Sequence, residues 1–464
     1  MRLPLVDRAG RALLLALLAT LPLANPYIRG EGNGHYAYVR SLVIDGDLDF
    51  ENEYRRGDPD FVTSNFRRAD GHLWPPLRTR AGRVRNQWPA GAALLWAPAF
   101  MQAHAAVLVL RAAGSEMPAD GYALAYRLAC AVATVAYAAL GLLLAYRMAE
   151  KLAGTGPALL AAAGVWLASS LPAYMYFLPF YGHALGAFAV SLFLWPWIGR
   201  PLARARDWAL WGAAAGLMVA VDHFALPMVS VAAVEWVRRA LPGGRWDRVA
   251  ARAAGVRALA FGAAAVAAAL PELAAKWILH GSPLRSGRMT RFFWTDPQLW
   301  ATGFSTQHGL FLWTPIALAS VAGLVLLARA RPAIGGPLLA GFAGCYYMVA
   351  SYELWHGSSS FGNRFFVSLT PVFVIGLAAL ADRAGRTLAR LRPAVRWAAL
   401  FAPVAVLAAW NAGLMLQWAT GMIPRQGPVD PRAVARNQVT AVPARIASVA
   451  LRYLTARSEA VPQR

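Results

Sequence analysis

Trp88–Arg111, WPAGAALLWAPAFMQAHAAVLVLR, is long enough to cross a bilayer yet carries Pro89, Pro98, Gln102 and His104. Its reading decides the side of every helix after it. If it spans, Arg147, Lys151, Arg200, Arg204 and Arg206 fall outside, against the tendency of Lys and Arg to stay in cytoplasmic loops; if it lies in the interface, they fall inside. We read it as interfacial. The spans then run near 121–146, 157–177, 183–199, 207–221, 224–238, 254–279, 309–329, 335–352, 365–382 and 397–419, which with residues 12–23 makes about eleven. Every loop assigned to the cytoplasm is then basic: Arg238, Arg239, Arg245, Arg248 and Arg252; Arg329 and Arg331; Arg383, Arg386, Arg390, Arg392 and Arg396.

Composition agrees with an all-α polytopic membrane protein. Hydrophobic residues make up 58% and charged ones 15%, against roughly 25% charged in soluble domains. The net charge of +22 comes from arginines scattered among loops, where they serve topology and anionic headgroups, so nucleic acid is not the expected partner. Basic charge is almost all Arg, with Lys151 and Lys276 the only lysines, and Ala is abundant, a bias of GC-rich bacterial genomes. Cys130 and Cys345 each sit inside an apolar run, where a thiol behaves as a small hydrophobe, and neither a disulfide nor a metal framework is expected. The run Ala12–Leu23 follows Arg2, Arg8 and Arg11; we read it as a retained anchor with a cytoplasmic N-terminus. The transmembrane body covers 1–420, with a first outer loop over 27–120. The 421–464 tail, with Val434, Val439, Val442, Ile446, Val449 and Leu451 among arginines, can form an amphipathic helix on the outer surface.

Chemistry concentrates in residues 25–88, a polar stretch that holds nine of the 23 acids and ten arginines. Glu31 stands beside glycines just before an aromatic helix, and DGDLDFENE (45–53) is the densest acidic cluster, with Asp45, Asp47 and Asp49 at alternate positions. The plain reading of that cluster is a turn and a helix cap; a divalent-cation loop is the alternative, but the twelve-residue calcium pattern is incomplete. Cations at the outer ends of helices suit an anionic ligand, because arginine's planar fork binds phosphate oxygens in pairs. These are Arg40 on the aromatic helix, Arg127 at the head of the second span, Arg364 after SSSFGN, and Arg288 between Arg285 and Arg291. For each the competing reading is snorkelling to headgroups. Tryptophans such as Trp74, Trp88, Trp294, Trp313 and Trp355 read as an aromatic belt, and Glu272 and Lys276, one turn apart, as a pair.

Four pieces in order carry a resemblance: the short anchor, GEGNGHYAYVRSLV (30–43), NQWPAGAALLW (86–96), and a span that opens with Arg, YRLACAVATVAYAALGLLLAYRMAEK (126–151). Together they resemble the polyprenyl-phosphate-sugar-dependent glycosyltransferases of the C superfamily, such as protein O-mannosyltransferases and bacterial aminoarabinose transferases. STQHGLFLWTP (305–315) and SYELWHGSSSFGNRFFVSLTP (351–371) are similar to bacterial membrane proteins placed in that superfamily. The resemblance implies inverting transfer of a sugar from a lipid phosphate to an acceptor hydroxyl on a glycan, lipid or protein. The reaction would take place on the outer face of a bacterial cytoplasmic membrane, without a cofactor. It puts Glu31 at the family's first-loop Asp, with Asp45 and Asp47 as further candidates for the base. It puts His183, in FYGHALGAF, where the family has a second carboxylate; for the donor phosphate the candidates are the arginines already named, Arg40, Arg127, Arg288 and Arg364. The rival reading is a transporter or lipid flippase, which would place ionisable groups at mid-membrane within two related halves. The charge-free stretches 157–177, 183–199 and 309–327 speak against it.

Overall fold

The computed structural model describes residues 7–55, 73, 78–245, 247–285, 287–288 and 290–456. Trp74 and residues 457–464 of the tail lie outside the described residues. The helices in chain order are α1 (Arg8–Ala19), α2 (Gly32–Arg40), α3 (Glu51–Arg55), α4 (Gly91–Ala112), α5 (Leu124–Ala153) and α6 (Thr155–Ala168). Then come α7 (His183–Gly199), α8 (Ala205–Val221), α9 (Ser230–Ala240), α10 (Arg248–His280), α11 (Leu299–Phe304) and α12 (Leu310–Trp313). The last six are α13 (Pro315–Ala330), α14 (Pro332–Ala350), α15 (Thr370–Thr387), α16 (Pro393–Ala419), α17 (Pro431–Val439) and α18 (Ala441–Thr455). Among the described residues there is no strand, only the isolated bridges Arg78 to Val84 and Phe292 to Tyr352.

Six stretches are long and apolar enough to cross a membrane: α4, α5, α10, α14, residues 364–387 and α16. Length alone therefore does not support the expected eleven. Several expected spans are shorter helices joined to breaks that hydropathy does not register. The 157–177 run stops helically at Ala168 and continues as a π turn, Ala173–Phe177, after Pro172. The 224–238 run splits into a 3-10 turn, His223–Val229, which contains Pro227, and the short α9. The 309–329 run breaks at Thr314, because the residue before Pro315 is pushed out of helical conformation. Helix ends are capped from within the sequence. Asp7 accepts from the Gly10 amide at 2.8 Å and Asp247 from that of Ala250 at 2.6 Å.

α15 sits at the centre, buried from Thr370 to Ala378 and packed on α5, α6 and α13. Gly323 and Gly376 allow the α13–α15 crossing, since a Cβ on either would run into backbone carbonyl oxygen of the other helix. α10 is peripheral, lies on α8, and turns Val249, Val256, Leu259, Val266 and Leu270 outward. At one end of the bundle the basic residues tie helix termini together. Lys151 donates to Gly199 O, Arg239 to Pro201 O and Leu202 O, Arg257 to Ala203 O, and Arg238 to Ala333 O. The opposite end carries the first loop. α4 starts at that end. It begins against the last turn of α8, where Gly91 lies on the Ala220 backbone, and pairs with the first turns of α5 through Trp96–Thr134 and His104–Tyr126. The chain then returns to α2, where Tyr36 and Arg40 donate to Gly121 O and Asp120 O.

α2 departs from its expected pose. The sequence puts His35, Tyr38 and Leu42 on one face toward the membrane; instead, every residue of Gly32–Arg40 is buried, and of that face Leu42 alone is exposed. Gly32 and Gly34 explain the burial, because a side chain at either would collide with Phe180 or Trp88, which close over the helix.

Candidate functional site

Glu31 occupies the N-cap position of α2, and Gly30 ahead of it has φ +51°, so the chain turns sharply into the helix. A side chain on Gly30 would meet the Tyr181 hydroxyl. Without one, Glu31 reaches the 179–183 turn and the start of the 364–369 turn, brought from far along the chain. Arg364 Nη2 donates to Glu31 Oε1 at 2.5 Å, and His183 Nε2 lies 4.0 Å from Oε2. The Arg364 guanidinium is also stacked between the rings of Tyr181 (5.8 Å) and Phe365 (5.3 Å). Arg364 is 8% exposed, and both its Nε and the Nε2 of His183 are buried without a hydrogen-bond partner. Two unsatisfied polar nitrogens beside a carboxylate make a cluster suited to a polar, anionic ligand.

His35 lies one turn along α2 from Glu31. Its Nδ1 faces Pro89 O at 3.1 Å. A carbonyl can only accept, so the proton sits on Nδ1 and Nε2 carries a lone pair toward Gly182. Burial pushes the imidazole down to about 4, outweighing the upward pull of the Glu31 charge. The Tyr181 phenol is pushed up to about 12 by burial and by Glu31. Because the folded-state value of His35 lies below the ordinary 6.5, its contribution to stability is complete above that pH and is lost as pH falls toward 4. At about pH 5 the loss is roughly 2 kcal/mol. The unfolding midpoint of the detergent-solubilised protein should thus drop more between about pH 7.5 and 5 than that of His35→Asn. Equal drops would mean that His35 is not held neutral.

A second layer supports the pair. Phe365 packs on Phe224 at 4.4 Å, and Arg288 stacks over Phe224 (5.2 Å) and Tyr352 (5.5 Å) while donating to the Tyr352 hydroxyl at 3.2 Å. One turn past Arg364, Ser368 donates to Asp222, whose other oxygen caps the Phe224 amide at 2.9 Å. On the other flank Tyr174 meets the rings of His183 and Tyr181 and bonds both N and O of Phe361. The loop into Arg364 is bent, with positive φ at Gly357, Ser358 and Gly362, and His308 beside it also adopts a positive φ while pairing Nδ1 with His356 O at 2.8 Å.

Of the residues singled out in the sequence, the structure joins Glu31, His183 and Arg364, with Arg288 behind Phe365. It does not bring Arg40, Asp45 or Asp47 to them. These lie at the far end of α2, about 13 Å away by helix rise. There Arg40 pairs with Asp45 and, at 2.9 Å, with Glu53, whose carboxyl burial pushes up to about 7 against the pull of that guanidinium. Asp47 accepts from Ser41 Oγ and the Asp49 amide, which is the turn-and-cap reading of DGDLDFENE. Arg127 heads α5 under the Tyr27 ring at 5.7 Å. Among the described residues no group of three or more His, Cys, Asp and Glu could hold a metal. His35, Tyr181 and Asp222 carry no sequence motif that marks them as site residues. Only the glycines at 30, 32 and 182 hinted at close approach there.

Two apolar grooves flank this end. One, of about 310 Å³, runs between the end of α16 and α18 and is walled by Phe177, Leu178, Phe361, Trp418 and Tyr453. The other, of about 270 Å³, lies between α2, α4 and α10. Phe361, a wall of the first groove, is bonded to Tyr174, whose ring meets those of His183 and Tyr181. In sequence comparison the chain matches no protein-family model and no curated protein.

Proposed function

We propose that the Glu31–His183–Arg364 cluster transfers a sugar from a polyprenyl-phosphate donor to an acceptor hydroxyl, with inversion, at the outer face of the membrane. The observation that carries the reading is the buried Arg364 with an unpartnered Nε, set against a carboxylate at the end of the bundle where the apolar grooves lie. That combination suits a phosphate on a hydrocarbon chain. A phosphate seated on Arg364 replaces Glu31 as the partner of the guanidinium and leaves the carboxylate to the acceptor. The acceptor oxygen attacks the anomeric carbon while its proton passes to Glu31, and the bond from that carbon to the phosphate oxygen breaks. The bond's electrons leave on the phosphate, where Arg364 and Arg288 offset the developing charge. His183 Nε2 and His35 Nε2 are placed to orient the sugar or acceptor hydroxyls. The resemblance to the C superfamily of glycosyltransferases points the same way.

The outer-face location rests on α4 as an interfacial helix. It is supported by the return of the chain to α2 after α4 and by the basic residues gathered at the opposite end. A cysteine at Ser115 should therefore react with an impermeant thiol reagent added outside intact cells, and one at Thr155 should not. Labelling at Thr155 would reverse the topology.

One observation favours the alternative of a lipid or sugar transporter. Glu272 is buried two turns inside α10 with His223 at 2.8 Å and Lys276 at 3.1 Å, and buried ionisable clusters often mark transport paths. Glu272 also accepts the Ala90 amide at 2.6 Å, so it fixes the chain entering α4, and this structural role accounts for its burial. Turnover of a polyprenyl-phosphate sugar by the purified protein in detergent, where no transport is possible, separates the two.

A further inference from the structure

We propose a second anion site beside the first: the pocket formed by Thr79, Arg80, Arg85, His280, Arg285 and Gly287 binds a phosphate group carried by the acceptor. The pocket encloses about 290 Å³ and is lined by three arginines and a histidine, with no carboxylate among its described walls. Among the described acids of the same loop, Glu51 pairs with Arg78 at 2.5 Å and Asp49 with Arg83 at 3.7 Å. Inside, Arg85 Nε and Thr79 Oγ1 are buried without a hydrogen-bond partner. Gly287 forms the floor, where a Cβ would press on Asn86 O and His280 Nε2. Three guanidiniums, of which Arg80 and Arg285 are exposed and Arg85 half-buried, converge on two unsatisfied donors, and a phosphate or diphosphate supplies both the charge and the acceptors.

The placement links it to the transfer site. His280 Nε2 meets Asn86 O at 3.3 Å, and Asn86 Nδ2 donates to Gly34 O at 2.8 Å, three residues past Glu31. Arg285 and Arg288 lie three residues apart in one loop, the first in this pocket and the second behind Phe365. A ligand phosphate here holds the rest of an acceptor toward Glu31. Anion binding in the pocket stands by itself; its assignment to the acceptor rests on the transfer reading.

The test uses the full chain in phosphatidylcholine nanodiscs with inorganic pyrophosphate as probe, in an Arg364→Lys background that weakens the first site. Pyrophosphate should still bind and raise the melting temperature. Adding Arg80→Gln and Arg285→Gln should weaken binding by roughly ten- to a hundredfold, the scale of one charge-assisted hydrogen bond. Arg80 is exposed, so Arg80→Gln alone leaves the fold intact and should show a graded part of that loss. Loss of all pyrophosphate binding in Arg364→Lys alone would mean a single anion site. Binding indifferent to Arg80→Gln and Arg285→Gln would make these arginines merely solvated, and either result overturns the proposal. Phosphatidic acid in the nanodisc should compete if the phosphate arrives on a lipid and should not if it is soluble. Normal transfer by Glu31→Gln would sink the transfer reading and leave this titration unaffected.

Discussion

Glu31→Gln should lower sugar transfer from a polyprenyl-phosphate donor by roughly 10²- to 10⁴-fold, the usual contribution of a positioned general base. Expression should be unchanged, because the amide keeps the shape of the carboxylate and its bond to Arg364 Nη2. Glu31→Asp should retain part of the activity. The same Glu31→Gln change should tighten binding of the sugar-free polyprenyl phosphate, since the guanidinium is no longer held by a charged partner at 2.5 Å. Activity and affinity thus move in opposite directions, which simple loss of structure cannot produce. Radiolabelled sugar transfer and lipid-phosphate retention on the purified variant measure the two. Wild-type transfer in Glu31→Gln together with its loss in Asp45→Asn or Asp47→Asn would move the base to the far end of α2.

Arg364→Lys should lose transfer by roughly 10²-fold, although the charge is conserved. Lysine offers a point charge where arginine offers a fork, and each charge-assisted hydrogen bond to phosphate is worth about 1.5 to 3 kcal/mol. The fork here is also stacked between Tyr181 and Phe365, a geometry that an ammonium does not reproduce. The loss should appear mainly in donor affinity. Unchanged donor turnover in Arg364→Lys membranes would remove Arg364 from the site.

How far the site could be read from sequence depended on the kind of residue. Arg364 stood out as a cation where an apolar run begins, whereas Glu31 and His183 stood out through the positions the resemblance assigns them. What the sequence could not show was which arginine meets Glu31. Arg40 was nearer along the chain, but its helix turns it toward Asp45 and Glu53, whose acids lie in the same local cluster. Helical periodicity, which records one element at a time, puts His35 on a membrane-facing stripe. Burial of that stripe comes from Trp88 and Phe180, which close over Gly34 and Gly32. Asp222 and Ser368 meet only through folding of the bundle. The helical membrane character was plain in composition, whereas span lengths were overestimated wherever a break such as Ser169, Pro227 or Thr314 fell inside an apolar run. The arginines of the second anion pocket were legible only as loop charge, since residues 79–85 and 280–287 converge in space alone.

The central claim is that the Glu31–Arg364 site consumes a lipid-linked sugar, and the lipid extract of cells lacking the gene tests it most directly. The account predicts that a polyprenyl-phosphate sugar accumulates in those cells, that the wild-type chain restores its consumption, and that the Glu31→Gln chain, present at the same level, does not. Absence of any accumulated lipid-linked sugar, or full restoration by Glu31→Gln, would contradict it.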